Sequence, residues 1–227
     1  MVPKFQALGI DGGTIKEKYG GAGFTNLEHG AISYELAKID SGIATFYNVH
    51  NAIGLNVINT LGDEEQKMRM LPSAMNFKKI ACFGLTEPTN GSDASNLTTT
   101  ATKTEGGYLI NGRKRWIGNA LTATYINVWA RNPAEGNKVQ CFVVMGGSKG
   151  LKLSKIKNKY SMRLVQNADI EFDNVFVPDN NRLTHGKDFA SGTAAMLESS
   201  RLQVAWMGAG VAAGAYEAAL KYCLQRH

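Results

Sequence analysis

IACFGLTEPTNGSDASNLTTTATKTEGGYLINGRKRWIGN, residues Ile80 to Asn119, is the stretch around which the rest of the chain is organised. Its first piece, Ala81 to Thr86, is a short apolar run that stops at Pro88 and reads as a buried strand. A turn-rich polar loop follows and ends on Gly91, Ser92 and Asp93. Beyond it two short alternating runs flank Asn111-Gly112, the strongest short-range signal for a β-hairpin, and the second run leads into Trp116-Ile117-Gly118-Asn119. The reading is two strand ends, with polar backbone and aromatic surface, held side by side by a small sheet. Such a surface suits a large flat ligand with a phosphate tail.

Working outward, residues 80–180 are expected to form a small all-β barrel or sandwich. Short β-branched and aromatic runs at Tyr125–Ala130, Val139–Met145, Leu151–Ile156 and Ala168–Val177 are separated by turn residues. Residues 1–79 read as helical after a glycine-rich opening that lacks the phosphate-loop pattern. Helices are expected from Asn26, as its cap, to Ile39; from Ser41 to Thr60, with Ile43, Phe46, Val49, Ile53, Val57 and Ile58 inward; and from Asp63 to Met70, ended by Pro72. Residues 181–227 return to helix near Phe189, with Leu202, Trp206, Ala209, Ala213, Tyr216 and Leu220 at three-four spacing and a glycine-alanine middle that needs close neighbours. The fold class is therefore α+β.

With 44% hydrophobic and 19% charged residues, the 227-residue chain is an ordinary folded protein. No run of eighteen apolar residues spans a membrane, and the first residues are not a secretory signal. Cys82, Cys141 and Cys223 read as buried free thiols, and no Cys-His cluster has metal spacing. His29 and His50 read as packing or surface residues. The net charge of +6 suits an anionic small ligand. Nucleic acid is disfavoured, because Lys149, Lys152, Lys155, Lys157 and Lys159 alternate without interleaved stacking aromatics.

Three ordered motifs, FGLTEPTNGSD (Phe83–Asp93), KRWIGN (Lys114–Asn119) and NVFVP (Asn174–Pro178), resemble signatures of the acyl-CoA dehydrogenase and oxidase superfamily. The resemblance covers nearly the whole chain. Within the superfamily it is greatest to plant short-chain, peroxisomal acyl-CoA oxidases and to glutaryl-CoA dehydrogenases. The fold it implies is helices, a middle β domain, and the start of a helical bundle.

The resemblance implies FAD as cofactor. Phe83, Leu85 and Thr86 would lie along the isoalloxazine ring, and Gly91 and Ser92 beside the pyrophosphate and thioester. Trp116, Ile117 and Gly118 would wall the other side. Ala44 and Thr45 match a segment facing the acyl tail; Glu198, Ser199, Ser200 and Arg201 match one that contacts the CoA ester. Gly118 replaces a threonine common in the dehydrogenases, and Ala44 replaces the arginine with which glutaryl-CoA dehydrogenases pair a distal carboxylate. An unpaired buried carboxylate costs several kcal/mol, so a short unsubstituted acyl chain is preferred. The implied reaction is α,β-dehydrogenation of short-chain acyl-CoA to trans-2-enoyl-CoA with oxygen as acceptor. The alternatives are a dehydrogenase discharging to electron-transfer flavoprotein and a non-catalytic homologue that binds flavin or acyl-CoA. Glu87 matches a structural position, and the resemblance puts the catalytic base beyond His227, in a longer homo-oligomeric enzyme (dimer or tetramer) of which these residues are a fragment. The implied compartment is the peroxisome, with the mitochondrial matrix as alternative.

Overall fold

The computed structural model describes residues 2–226. Helices α1 (Val2–Leu8), α2 (Asn26–Ile39), α3 (Ser41–Asn48), α4 (Asn56–Leu61) and α5 (Glu64–Ala74) precede strands β1 (Ile80–Gly84), β2 (Thr100–Thr104), β3 (Gly107–Ile117), β4 (Ala123–Asn132), β5 (Lys138–Met145), β6 (Leu151–Lys155) and β7 (Ala168–Pro178). The long α6 (Ala195–Gln225) follows, and the α+β expectation is confirmed.

The strands form one seven-stranded sheet in the order β1-β4-β2-β3-β7-β6, with β5 on the free edge of β4. The sheet curls on itself: Tyr108 of β3 and Phe142 of β5, on strands that do not pair, bring their rings to 4.9 Å in T-shaped contact. Ile110, Ile126, Val128, Val144, Ile170 and Val175 fill the space inside that curl. The other face buries Ala81, Leu85, Tyr125, Trp129 and Val143 against Leu55, Ile58, Met70 and Leu71 of the helices. Being covered on both faces, β4 is buried almost throughout instead of alternating.

Several local expectations change. Asn111-Gly112 is not a turn but lies inside β3, where the ladder to β7 shifts register between Ile110 and Gly112. The hairpin between β2 and β3 turns instead at Glu105-Gly106, with Gly106 at φ +69°. Thr25, not Asn26, caps α2, in a reciprocal capping box with Glu28. Pro72 sits within α5, which runs on to Ala74. The helix expected from Ser41 to Thr60 exists, but Val49–Leu55 within it is π-helical. Gly54 lets this segment press on β1, since a Cβ there would fall 2.8 Å from that of Ala81, and Asn127 of β4 donates to the Gly54 carbonyl at 2.8 Å.

On α6 the buried side chains among the described residues are Met196, Gln203 and Met207, and Leu202, Tyr216 and Leu220 of the expected face are exposed. Backbone approach decides that face. A Cβ on Gly210 would sit 2.3 Å from the Tyr34 carbonyl oxygen, and one on Gly214 2.2 Å from that of Lys38, so α6 lies directly against α2. Cys82 and Cys141 are buried, and burial pushes both thiols up, whereas Cys223 is exposed. Among the described residues no helix is long and apolar enough to cross a membrane.

Candidate functional site

The two strand ends singled out in the sequence do meet. The Thr86 carbonyl accepts a hydrogen bond from the Arg115 backbone N–H at 2.8 Å. Beneath it, Lys114 Nζ donates to the Leu85 carbonyl at 3.0 Å and to Glu87 Oε1 at 2.9 Å, both side chains being removed from solvent. Glu87 also receives the backbone N–H and hydroxyl of Thr98 and of Thr99, which ties the loop after β1 back to the sheet. Burial opposes ionisation of Glu87, but the Lys114 charge and the threonine donors overcome it and hold the carboxyl down at about 2. Burial lowers Lys114 to about 8 despite its partner. Glu87 is thus a structural carboxylate, as expected. Lys114 opens the KRWIGN motif, but the sequence alone gives it no role distinct from that of Arg115.

Phe83 of β1 and Leu85, just past its end, lie on the helix-facing side of the sheet, Phe83 with its ring 5.9 Å from Trp129. The ladder between β3 and β7 shifts register between Lys114 and Ile117, and Trp116 there takes a left-handed backbone, φ +63°. That conformation costs about 1–2 kcal/mol for a non-glycine residue. It leaves the indole half exposed while Ile117 stays buried, and Asn167 Nδ2 holds the Trp116 carbonyl at 2.9 Å. The Arg115 guanidinium carbon lies over this ring, 5.3 Å from its centre. Gly91 and Ser92 occupy an exposed loop tip, where a Cβ on Gly91 would meet nothing within 4 Å. The tip is shaped by Asn90 bonding the Asn96 carbonyl at 2.7 Å and by Asn96 bonding Asp93 at 2.6 Å.

Gly118 does not open free space. A Cβ there would lie 3.3 Å from Val49 Cγ2 and 3.4 Å from Val165 Cγ1, so two valines already occupy its side. Val49 belongs to the π-helical segment, and beyond it lies a cavity of about 220 Å³. Its wall is mainly apolar: Val49, Ala52, Ile53, Met162, Val204 and Met207, with Thr45, Asn48, Ser200 and Gln203 completing it. Behind the wall, Ser33 Oγ lies 2.9 Å from the His29 carbonyl, 3.0 Å from Asn48 Oδ1 and 3.1 Å from Gln203 Oε1, so its single proton serves one of three acceptors at a time. Beside them His29 is buried, and burial lowers its pKa to about 4, so it is neutral packing.

Thr45 and Ser200 thus stand together in one wall. Ala44 is not among the lining residues; it is fully buried in a cluster with Ala37 and with Met207 of the cavity wall. Glu198 and Arg201 are exposed, and the Ser199 side chain lies outside the described residues. The cavity-lining Ile53, Met162 and Gln203 come from separate elements and share no local motif. Among the described residues no group of three or more His, Cys, Asp or Glu is placed to hold a metal.

The chain matches the family of the acyl-CoA dehydrogenase N-terminal domain over residues 1–78 and that of the acyl-CoA dehydrogenase middle domain over residues 82–175. It is 33% identical over its full length to an acyl-CoA dehydrogenase of Bacillus subtilis, covering 60% of that protein. It is 28% identical to the mitochondrial isovaleryl-CoA dehydrogenase of Solanum tuberosum and 31% to the mitochondrial short/branched chain specific acyl-CoA dehydrogenase of Rattus norvegicus, covering 55% and 51% of them. The chain therefore spans little more than half the length of these relatives.

Two solved structures superpose on the whole chain with a TM-score of 0.93. One is an acyl-CoA dehydrogenase of Bacillus anthracis complexed with FAD, at 29% identity with 38% of that chain covered. The other is from work on the electron transferring flavoprotein of Acidaminococcus fermentans, at 30% identity with 60% covered. The expected peroxisomal placement is overturned, since the two relatives whose names carry a compartment are both mitochondrial. The dehydrogenase alternative is better supported than the oxidase reading, since these relatives are all named as dehydrogenases. Two domain families side by side, a full-length superposition, and the meeting of the two motif-bearing strand ends lead to one conclusion: the chain belongs to the acyl-CoA dehydrogenase and oxidase superfamily.

Proposed function

We propose that this chain carries the flavin platform and part of the acyl site of an FAD-dependent acyl-CoA dehydrogenase. The enzyme acts on short, unsubstituted acyl-CoA thioesters and passes electrons to electron-transfer flavoprotein. One observation carries the reading: the apolar cavity and the Trp116–Gly118 wall share Val49, so a small acyl chain and a flat ring would lie on either side of one residue. FAD bound there would accept the hydride from the acyl β-carbon. The chain's own part is to bind, orient and exclude water. Phe83, Leu85, Thr86, Trp116 and Ile117 would hold the ring, and the open turn at Gly91 and Ser92 would offer amides and a hydroxyl to anionic oxygens. Thr45, Ser200 and the apolar wall would enclose the acyl chain, where the lack of water strengthens the polar contacts made at the thioester. No carboxylate lines the cavity among the described residues, so the proton-abstracting base is not assigned within it.

The test is reconstitution with FAD, followed by anaerobic titration with butyryl-CoA. Stoichiometric flavin and a change in its absorbance on adding butyryl-CoA support the reading. If the flavin is reduced, persistence of the reduced form in air with rapid discharge to electron-transfer flavoprotein supports the dehydrogenase assignment. Rapid reoxidation with one equivalent of hydrogen peroxide would reverse it, and absence of flavin uptake would remove the cofactor reading.

A further inference from the structure

We propose that Lys159 is a positioning residue: by tying the loop that follows β6, it sets one wall of the apolar cavity and braces the Trp116–Gly118 wall at the same time. The proposal rests on the reading of that cavity as the acyl site. Lys159 Nζ donates to the Met162 carbonyl and to the Val165 carbonyl, both at 2.8 Å, and to Asn167 Oδ1. An ammonium has three donors, and here all three are used within one loop.

Each acceptor belongs to a residue that reaches the site. Met162, at φ +49°, turns its side chain into the cavity wall and brings its sulfur 3.8 Å from Thr45 Oγ1. Val165 is one of the two side chains crowding Gly118. Asn167 donates to the Trp116 carbonyl and thereby supports that residue's left-handed backbone. The loop between β6 and β7 has no regular structure, and the lysine bonds add to its few backbone bonds, Ile156 N–H to the Asn167 carbonyl at 3.0 Å and Val165 N–H to the Met162 carbonyl at 3.1 Å. Burial, and after it the Lys155 charge, lower the Lys159 pKa. A surface lysine that served only solubility would not be gathered in this way.

The test uses the full chain with methionine methyl groups labelled, Met162 being assigned through Met162→Leu. In Lys159→Met the Met162 methyl signal is expected to move, and the amides of residues 160–167 to exchange roughly tenfold faster. The ratio of the dissociation constant for butyryl-CoA to that for octanoyl-CoA, read by calorimetry, is expected to rise roughly threefold as the loosened wall admits the longer chain. Met162→Ala, which leaves the staple in place, is expected to shift that ratio in the same sense. Lys159→Arg, which keeps the donors, is expected to restore part of it. An unchanged methyl signal and unchanged exchange in Lys159→Met would overturn the proposal, as would a loosened loop with the ratio preserved. The first two measurements need no ligand. They therefore decide the staple even where the wild-type chain binds neither FAD nor acyl-CoA, an outcome that removes only the functional reading.

Discussion

Lys114 and Lys159 are both internal cross-links, and they are built on opposite principles. Lys114 is fully buried and faces a carboxylate; Lys159 is half-buried at the rim and faces two carbonyls and an amide. Around Lys114 the loss of one partner strands a charge in a dry interior. Around Lys159 the loss of the ammonium leaves neutral groups that water can reach. The difference separates a rigid platform, the joined ends of β1 and β3, from an adjustable wall, the loop between β6 and β7.

The sharpest way to break this contrast is Lys114→Met, which leaves Glu87 buried and unpaired. It is expected to cost about 3–5 kcal/mol in urea unfolding, and adding Glu87→Leu to recover much of that loss. A single-variant loss below about 1 kcal/mol would put the pair in the class of surface ion pairs. Next in size is acid sensitivity. The folded carboxyl of Glu87 sits at about 2 against a usual 4.5, so on acidification the unfolded chain takes up the proton first. Stability from this group is complete above pH 4.5 and drains away as the pH falls toward 2. The full contribution is about 3 kcal/mol. Equal unfolding free energies at pH 5 and pH 3 would contradict it.

Lys159→Met should cost less than either, about 1–2 kcal/mol, because solvent replaces its bonds. A loss as large as that for Lys114→Met would erase the distinction between platform and wall. Trp116→Ala removes a half-exposed ring, so the urea midpoint should hardly move while FAD affinity falls roughly tenfold. Unchanged flavin binding would detach Trp116 from the cofactor. Smallest is Gly118→Ala, whose new methyl asks Val49 and Val165 to give way by a few tenths of an ångström, at about 1 kcal/mol or less. A cost of several kcal/mol would show that neither valine yields.

Much of this architecture was legible because strands rich in β-branched and aromatic residues carry a local signal. The runs at Tyr125–Ala130 and Val139–Met145 fall inside β4 and β5. Asn111-Gly112 misled because a hairpin dipeptide and a β-bulge make the same local demand for unusual backbone, and only the partner strand β7 tells them apart. The face of α6 was misread because large side chains were taken to point inward. It is the absent Cβ atoms of Gly210 and Gly214 that choose the face, by admitting the backbone of α2. In the site, the motif residues around Phe83 and Trp116 could be named in advance, since each lies in a contiguous stretch. The cavity could not, because Ile53, Met162 and Gln203 are brought together only by tertiary packing.

The π-helical turn of Val49–Leu55 has a consequence for how this fold can change. A π-turn is what a helix shows when it carries one residue more than its ends can accommodate, and each residue advances a helix by about 100°. Deleting one residue between Val49 and Leu55 would remove that surplus and restore regular winding while α3 and α4 keep their orientation against the sheet. Thr45 and Asn48 would stay in the cavity wall, and the change would be confined to the wide turn that carries Val49, Ala52 and Ile53. A one-codon deletion could therefore retune one side of a binding surface without moving the helices that carry the rest.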